Sequence, residues 1–198
     1  MGTFGFGQQN ILQVEEFGNK AAGLATISSL GIPVPPGFSL PVSVCREYFS
    51  HGSIFSADSK QLLMQGIAFL EQATGNTFAG NRRPLLVSVR SGAPVSMPGI
   101  MDTILNVGLT PLSVRRLIAR TGNPHFVYDT YRRFLENFGV CVFGHDPRVY
   151  QRALRAMTAK EGLADERELN FQSLRTLCQD YTSLYTSKEE RDCLSDPM

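Results

Sequence analysis

The chain has 198 residues, 42% of them apolar, with a formal net charge of +1. That is enough apolar material for a buried core in one or two domains, and a charged fraction of 19% with 10% aromatics excludes a disordered chain. Near-zero net charge excludes an overall field that would draw nucleic acid or an anionic membrane, so neither is expected as a partner.

The charge is unevenly spread. Residues 1–109 hold six basic and six acidic side chains, residues 110–160 nine and three, and residues 161–198 four and nine. A basic middle suits a polyphosphate, and it equally suits pairing with the acidic tail that follows. Cys45, Cys141, Cys178 and Cys193 form no Cys-x-x-Cys pair, which argues against a zinc or disulfide framework. No run approaches the roughly 20 apolar residues of a membrane helix, and the uncharged, glycine-rich Met1–Asn10 segment is unlike a secretory signal. The expectation is a cytoplasmic protein.

In chain order, Asn19 to Leu30 carries apolar positions at Leu24, Ile27 and Leu30 and predicts a helix that Gly31 ends. Three prolines in Ile32–Phe38 hold the backbone extended. A helix is expected from Ser39 to about Phe49 with Pro41 in its first turn, and another over 58–73 with Leu62, Leu63, Ile67 and Leu70 on one stripe. Leu85 to Arg90 reads as a buried strand, Ser91 to Asp102 as a loop, and Thr103 to Leu109 as a second strand. From Pro111 onward glycine and proline become rare, and helices are predicted over 111–121, 124–143, 147–160 and 170–186. This places a boundary near residue 110: a mixed α/β lobe over 1–109 and a helical lobe over 110–198.

Three segments could carry chemistry. Arg90, delivered by a strand into the loop Ser91 to Asp102, could bind phosphate as a bidentate cation among backbone N–H groups and hydroxyls. The same residues also suit a structural turn in which Arg90 pairs with a carboxylate, and no Walker-type Gly-x-x-x-x-Gly-Lys-Ser/Thr is present. Gly18-Asn19-Lys20 opens a small-residue helix, where an anion is favoured; a first-turn lysine is more often simply solvated. Finally, Tyr131, Phe134, Leu135 and Phe138 form a helical stripe that makes Arg132 and Arg133 diverge by about 100°. One could face a cleft, or both could be surface charges.

Taken together, Gly18 to Ala25 and Gly31 to Phe38 resemble the opening of the dikinase ATP-binding region shared by phosphoenolpyruvate synthase and pyruvate, phosphate dikinase. The segment Val89-Arg90-Ser91-Gly92-Ala93-Pro94-Val95-Ser96-Met97-Pro98-Gly99-Ile100-Met101-Asp102-Thr103-Ile104-Leu105-Asn106 resembles the pyruvate, phosphate dikinases more narrowly, as does Asp129 to Phe134. The likeness covers residues 17 to 145 most strongly. It implies the N-terminal portion of an ATP-grasp-type nucleotide-binding region, with Lys20, Arg90 and Arg133 on ATP phosphates. It further implies that Ser91, Met97, Gly99, Ile100, Met101, Asp102 and Thr103 lie along the nucleotide. Asn19 stands where the family usually has a second glycine, which bears on the turn before Lys20.

The family's enzyme pyrophosphorylates a histidine on a swivelling domain, gives the γ-phosphate to inorganic phosphate and passes the remaining phosphoryl group to pyruvate. The resemblance therefore implies ATP, Mg²⁺ and phosphate as cofactor and substrates, and a homodimeric parent. It implies further partners in the parent's phosphohistidine and pyruvate-binding domains. No Thr-Ser-His motif occurs here, His51, His125 and His145 read as surface or loop residues, and no carboxylate pair stands out as a metal site. The expectation is thus a piece of a longer dikinase, inactive alone and with no catalytic or metal-binding residue of its own. The rival is a naturally short nucleotide-sensing or regulatory module.

Overall fold

A computed structural model of the chain describes residues 4–5, 13–80, 82–91 and 103–195. The chain divides into two compact units, residues 1–76 with 90–101, and residues 77–89 with 102–198.

In the first unit, helix α1 (Val14–Ser29) packs on α2 (Val42–Ser50), and α3 (Ala57–Thr74) packs against a ribbon of β1 (Phe4–Gly5) and β2 (Phe38–Ser39). The ribbon is antiparallel, with Phe4 opposite Ser39 and Gly5 opposite Phe38. As expected, Gly31 closes α1. Its N–H donates to the Ser28 carbonyl and that of Ile32 to Ile27, the paired bonds that satisfy the last carbonyls of a helix. The buried face of α1 is Phe17, Ala21, Ala22 and Ala25, with Val14 packed against it. Leu24, Ile27 and Leu30, which gave the sequence its helical spacing, are exposed. Helix α2 begins at Val42, one residue beyond Pro41, which serves as its N-cap and so needs no backbone N–H.

The second unit is built on helices whose ends are written in the sequence. Helix α4 (Pro111–Thr121) follows Thr110, which exchanges hydrogen bonds with Ser113. Helix α5 (Pro124–Phe143) follows Asn123, and α6 (Pro147–Lys160) follows Asp146. In each case a side-chain oxygen caps the first turn and proline takes the first helical position. Glycines 122 and 144 end the first two of these helices. Asn170 caps α7 (Phe171–Ser183), and a last helix, α8 (Lys188–Ser195), was not expected. Helix α5 is central, packing on α7, α4 and α6 and on strand β6 (Thr103–Val107). Tyr131, Phe134 and Leu135 are buried and Phe138 partly so, the stripe the sequence predicted.

The strand predicted over Leu85 to Arg90 is two pieces, β4 (Pro84–Leu85), parallel to β3 (Thr77–Phe78), and β5 (Val87–Arg90), paired with β6. Its expected burial holds for Leu85 but fails for Val89, which is 48% exposed. With only two strands in each sheet, no flanking strand or layer among the described residues covers that end. Leu86, Ile104, Val107 and Leu109 pack into the helical core. The strands β3 to β6 therefore go largely with the helices, whereas composition placed the change near residue 110.

Candidate functional site

The entry to α1 turns on Gly18. Its backbone lies at φ 80°, ψ 161°, breaking the helix after one turn so that it resumes at Asn19. This region is open essentially to glycine alone. Lys20 follows in the resumed first turn, exposed, with no ion pair to any described residue. Arg90 ends β5 and is exposed, likewise with no ion pair or hydrogen bond to its side chain among the described residues; Ser91 beside it is exposed too. Lys20 and Arg90 belong to the same compact unit. Met97, Gly99, Ile100, Met101 and Asp102 lie outside the described residues, and Thr103 is half-buried at the start of β6.

Arg133 belongs to the second unit and has partners. Asp129, one turn earlier on α5, holds both neighbouring arginines. Its Oδ1 accepts from Arg132 Nε at 3.2 Å and Nη2 at 2.8 Å, and its Oδ2 accepts from Arg133 Nε at 2.9 Å. Glu166, opening a 3-10 turn (Glu166–Glu168), stands 3.5 Å from Arg132 Nη2 and 3.8 Å from Arg133 Nη2. Glu136 lies 3.8 Å from Arg132 Nη1. Burial pushes the Asp129 carboxyl up, but hydrogen bonds from Arg132 and Arg133, with their charges, outweigh it and hold the group below its ordinary value. Burial raises Glu136, the Arg132 charge opposes that, and the Glu166 carboxylate adds to it. The buried arginine is thus Arg132, its side chain 4% exposed, and the outward one is Arg133 at 58%.

Asp129 and Glu136 could have been found in the sequence, because they sit three and four residues from the arginines on one helix. Glu166 carries no such signal, since it reaches Arg132 and Arg133 across the fold. It does realise, in one cluster, the pairing of basic middle with acidic tail that the charge distribution allowed. Among the described residues no group of three His, Cys, Asp or Glu side chains is placed to hold a metal ion. Asp129, Glu136 and Glu166 already face guanidinium groups, so they do not fit Mg²⁺.

His145 lies in the loop between α5 and α6, one of the two places expected for it, but its side chain is mostly enclosed. It hydrogen-bonds the Tyr150 hydroxyl at 2.6 Å through Nδ1 and Glu190 at 3.1 Å through Nε2. Tyr181 donates to the Tyr150 carbonyl and Tyr185 to the Leu135 carbonyl. This cluster ties α5, α6, α7 and α8 together and exposes no reactive group.

No family model matches the chain. It is 43% identical over 167 residues to the pyruvate, phosphate dikinase of Giardia intestinalis, covering 84% of this chain and 19% of that protein. It is 35% identical over 183 residues to the pyruvate, phosphate dikinase of Clostridium symbiosum, covering 92% of this chain and 21% of the relative. A chloroplastic pyruvate, phosphate dikinase 1 of Zea mays is 37% identical over 196 residues, 98% of this chain and 21% of its own length. The chain thus spans about a fifth of the length of these relatives. Among the described residues no helix is long and apolar enough to cross a membrane.

Proposed function

The chain belongs to the pyruvate, phosphate dikinase family over the fifth of those proteins that it spans, and from that premise we propose that it is the ATP-binding front part of such an enzyme. The observation that carries this reading is identity of 35–43% running through most of the chain. Two exposed cations without a counter-ion among the described residues, Lys20 and Arg90, support it by lying in one compact unit.

On this reading the fold is the opening portion of an ATP-grasp-type region. Lys20 offers a mobile point charge at a helix entry, and Arg90 offers the fork that matches two phosphate oxygens at once. Arg133, in the second unit, is read separately as a phosphate-binding cation. Ser91 and Thr103 are read as nucleotide contacts on the same grounds. The chain binds and orients ATP, and the phosphoryl transfers require domains beyond it. The parent reaction converts ATP, pyruvate and phosphate to AMP, phosphoenolpyruvate and pyrophosphate, with Mg²⁺ held by residues outside this chain.

Calorimetric titration of the 198-residue chain with ATP tests the reading. Binding is expected, and Lys20→Met or Arg90→Lys should each weaken it about tenfold, the worth of one charge-assisted contact. Absence of ATP binding, or binding that ignores both substitutions, would overturn it.

A further inference from the structure

We propose that Glu166 is a displaceable counter-ion of Arg133, occupying the guanidinium in the free protein and competing with the phosphate groups of ATP for it. The inference rests on the reading of Arg133 as a phosphate-binding residue. Asp129 holds Arg133 through Nε, at 2.9 Å, and neither terminal nitrogen of Arg133 makes a hydrogen bond to a described residue. Arg132 completes the platform. It is enclosed, it takes the other oxygen of Asp129 through two nitrogens, and so it prevents the carboxylate from turning.

Glu166 is bound differently. Its contacts with the two arginines are long, 3.5 and 3.8 Å, neither of them a hydrogen bond, and its side chain is 40% exposed. It belongs to a three-residue 3-10 turn and lines an open groove of about 510 Å³ with Leu154, Arg155, Thr158 and Asp165. The carboxylate therefore has somewhere to go and little to lose by leaving. The charge count gives it a reason to leave. Three carboxylates, Asp129, Glu136 and Glu166, face two guanidiniums, one negative charge in excess before any ligand arrives. A phosphate can join that cluster favourably only if one carboxylate withdraws. Asp129 is hydrogen-bonded three times, and Glu136 is a fixed neighbour on the same helix as Arg132. Neither Glu136 nor Glu166 is hydrogen-bonded to the arginines, but Glu136 is tied to Arg132 through the helix they share, whereas Glu166 is held by a separate segment and is the more exposed of the two.

The test is ATP affinity of the 198-residue chain, measured by calorimetry for the wild type, Glu166→Gln, Arg133→Gln and the double variant, with melting temperatures alongside. Removing the competing charge should tighten ATP binding by about fivefold, the upper range for an exposed ion pair. The gain should vanish in the double variant, and the melting temperature of Glu166→Gln should stay near that of the wild type. Equal affinities for the wild type and Glu166→Gln would overturn the proposal, as would a gain that persists without Arg133. A lowered melting temperature with unchanged affinity would mark Glu166 as structural and also overturn it. If none of the four proteins binds ATP, the nucleotide reading falls with it, a pattern distinct from equal but measurable affinities.

Discussion

Arg132 and Arg133 are consecutive on α5 and hold opposite oxygens of one carboxylate, Asp129, yet the first is enclosed and the second stands in solvent. The roughly 100° between successive helical residues produces this division, because one direction points into the α5–α7 interface and the other past it. The two arginines should therefore separate in their effects. Arg132→Ala removes a buried cation and its packed methylenes, leaving Asp129 and Glu136 without their shared counter-charge, and should destabilise by about 3 kcal/mol. Arg133→Ala should stay within about 1 kcal/mol, as for an exposed pair. Urea unfolding of both variants checks this, and equal losses would contradict the division.

Gly139 on α5 faces the enclosed aromatic cluster. A Cβ built there would collide with the Tyr150 hydroxyl and lie 2.8 Å from His145 Nδ1 and 2.9 Å from the Tyr185 hydroxyl. Tyr150 is fully buried and its hydroxyl is engaged by His145, so it has no free direction in which to retreat. Gly139→Ala should destabilise by about 2 kcal/mol through overpacking. Adding Tyr150→Phe should recover part of that loss, so the double variant should be less destabilised than the sum of the two single changes. Strict additivity in thermal unfolding would argue that the collision is relieved elsewhere.

Much of the helical unit was legible in the sequence because its boundaries are local chemistry. Asn123-Pro124 and Asp146-Pro147 state where helices begin, and Gly122 and Gly144 where they stop, without help from the rest of the chain. The burial of β5 was misread because an apolar run such as Leu85 to Val89 says nothing of how many strands flank it. The spacing that predicted α1 did not settle which of its faces is buried. Leu24, Ile27 and Leu30 give the stronger hydrophobic signal, but Phe17, Ala21, Ala22 and Ala25 are the residues that are buried. Of the candidate site, the cations were legible as types at helix and strand ends. Glu166 was not, because it meets Arg132 and Arg133 from over 30 positions along the chain.

Gly18 should tolerate no side chain without cost. At φ 80° and ψ 161° any other residue is strained, so Gly18→Ala should destabilise by about 1–3 kcal/mol. If Lys20 takes its direction from this break, the same substitution should weaken ATP binding more than Lys20→Met alone does, since the whole first turn would shift. Unfolding and ATP titration of the two variants side by side would show it. A Gly18→Ala protein of unchanged stability would mean that the helix can run straight through.

Asp129 and Glu136 should respond to pH with opposite signs. Asp129 is held below its ordinary value, so its contribution is present above about pH 4 and is lost as pH falls through the lower folded value. Asp129→Asn should therefore be less stable than the wild type at pH 7, with the gap closing on acidification below about pH 4. Glu136 is raised by burial, so its ionised form opposes folding above the raised value and the penalty fades as pH falls towards the ordinary carboxyl range. Glu136→Gln should be more stable than the wild type at pH 7, with that gap also closing by about pH 4.5. Denaturant unfolding at pH 7, 5, 4 and 3 would reveal convergence from the two sides, for Glu136 by about pH 4.5 and for Asp129 only below about pH 4; parallel curves over the whole range would remove both groups from the account.

Arg90 separates a role in binding from a role in folding. It is exposed at the end of β5, Val89 before it is exposed as well, and no described carboxylate pairs with it. Nothing in its described surroundings draws on its charge or its bulk, so Arg90→Lys should leave the melting temperature within about 1 °C, in keeping with a surface change of a few tenths of a kcal/mol. The guanidinium fork does matter to a phosphate, because a lysine keeps the charge but cannot offer two parallel N–H donors to two oxygens. The substitution should thus lower ATP affinity about tenfold at unchanged stability. On the proposed reading, in a longer protein carrying phosphohistidine and pyruvate-binding parts, it should slow the ATP half-reaction while sparing the pyruvate half-reaction. A melting temperature that falls by several degrees would instead assign Arg90 to the fold, and ATP affinity reduced only in step with that loss would complete the reversal.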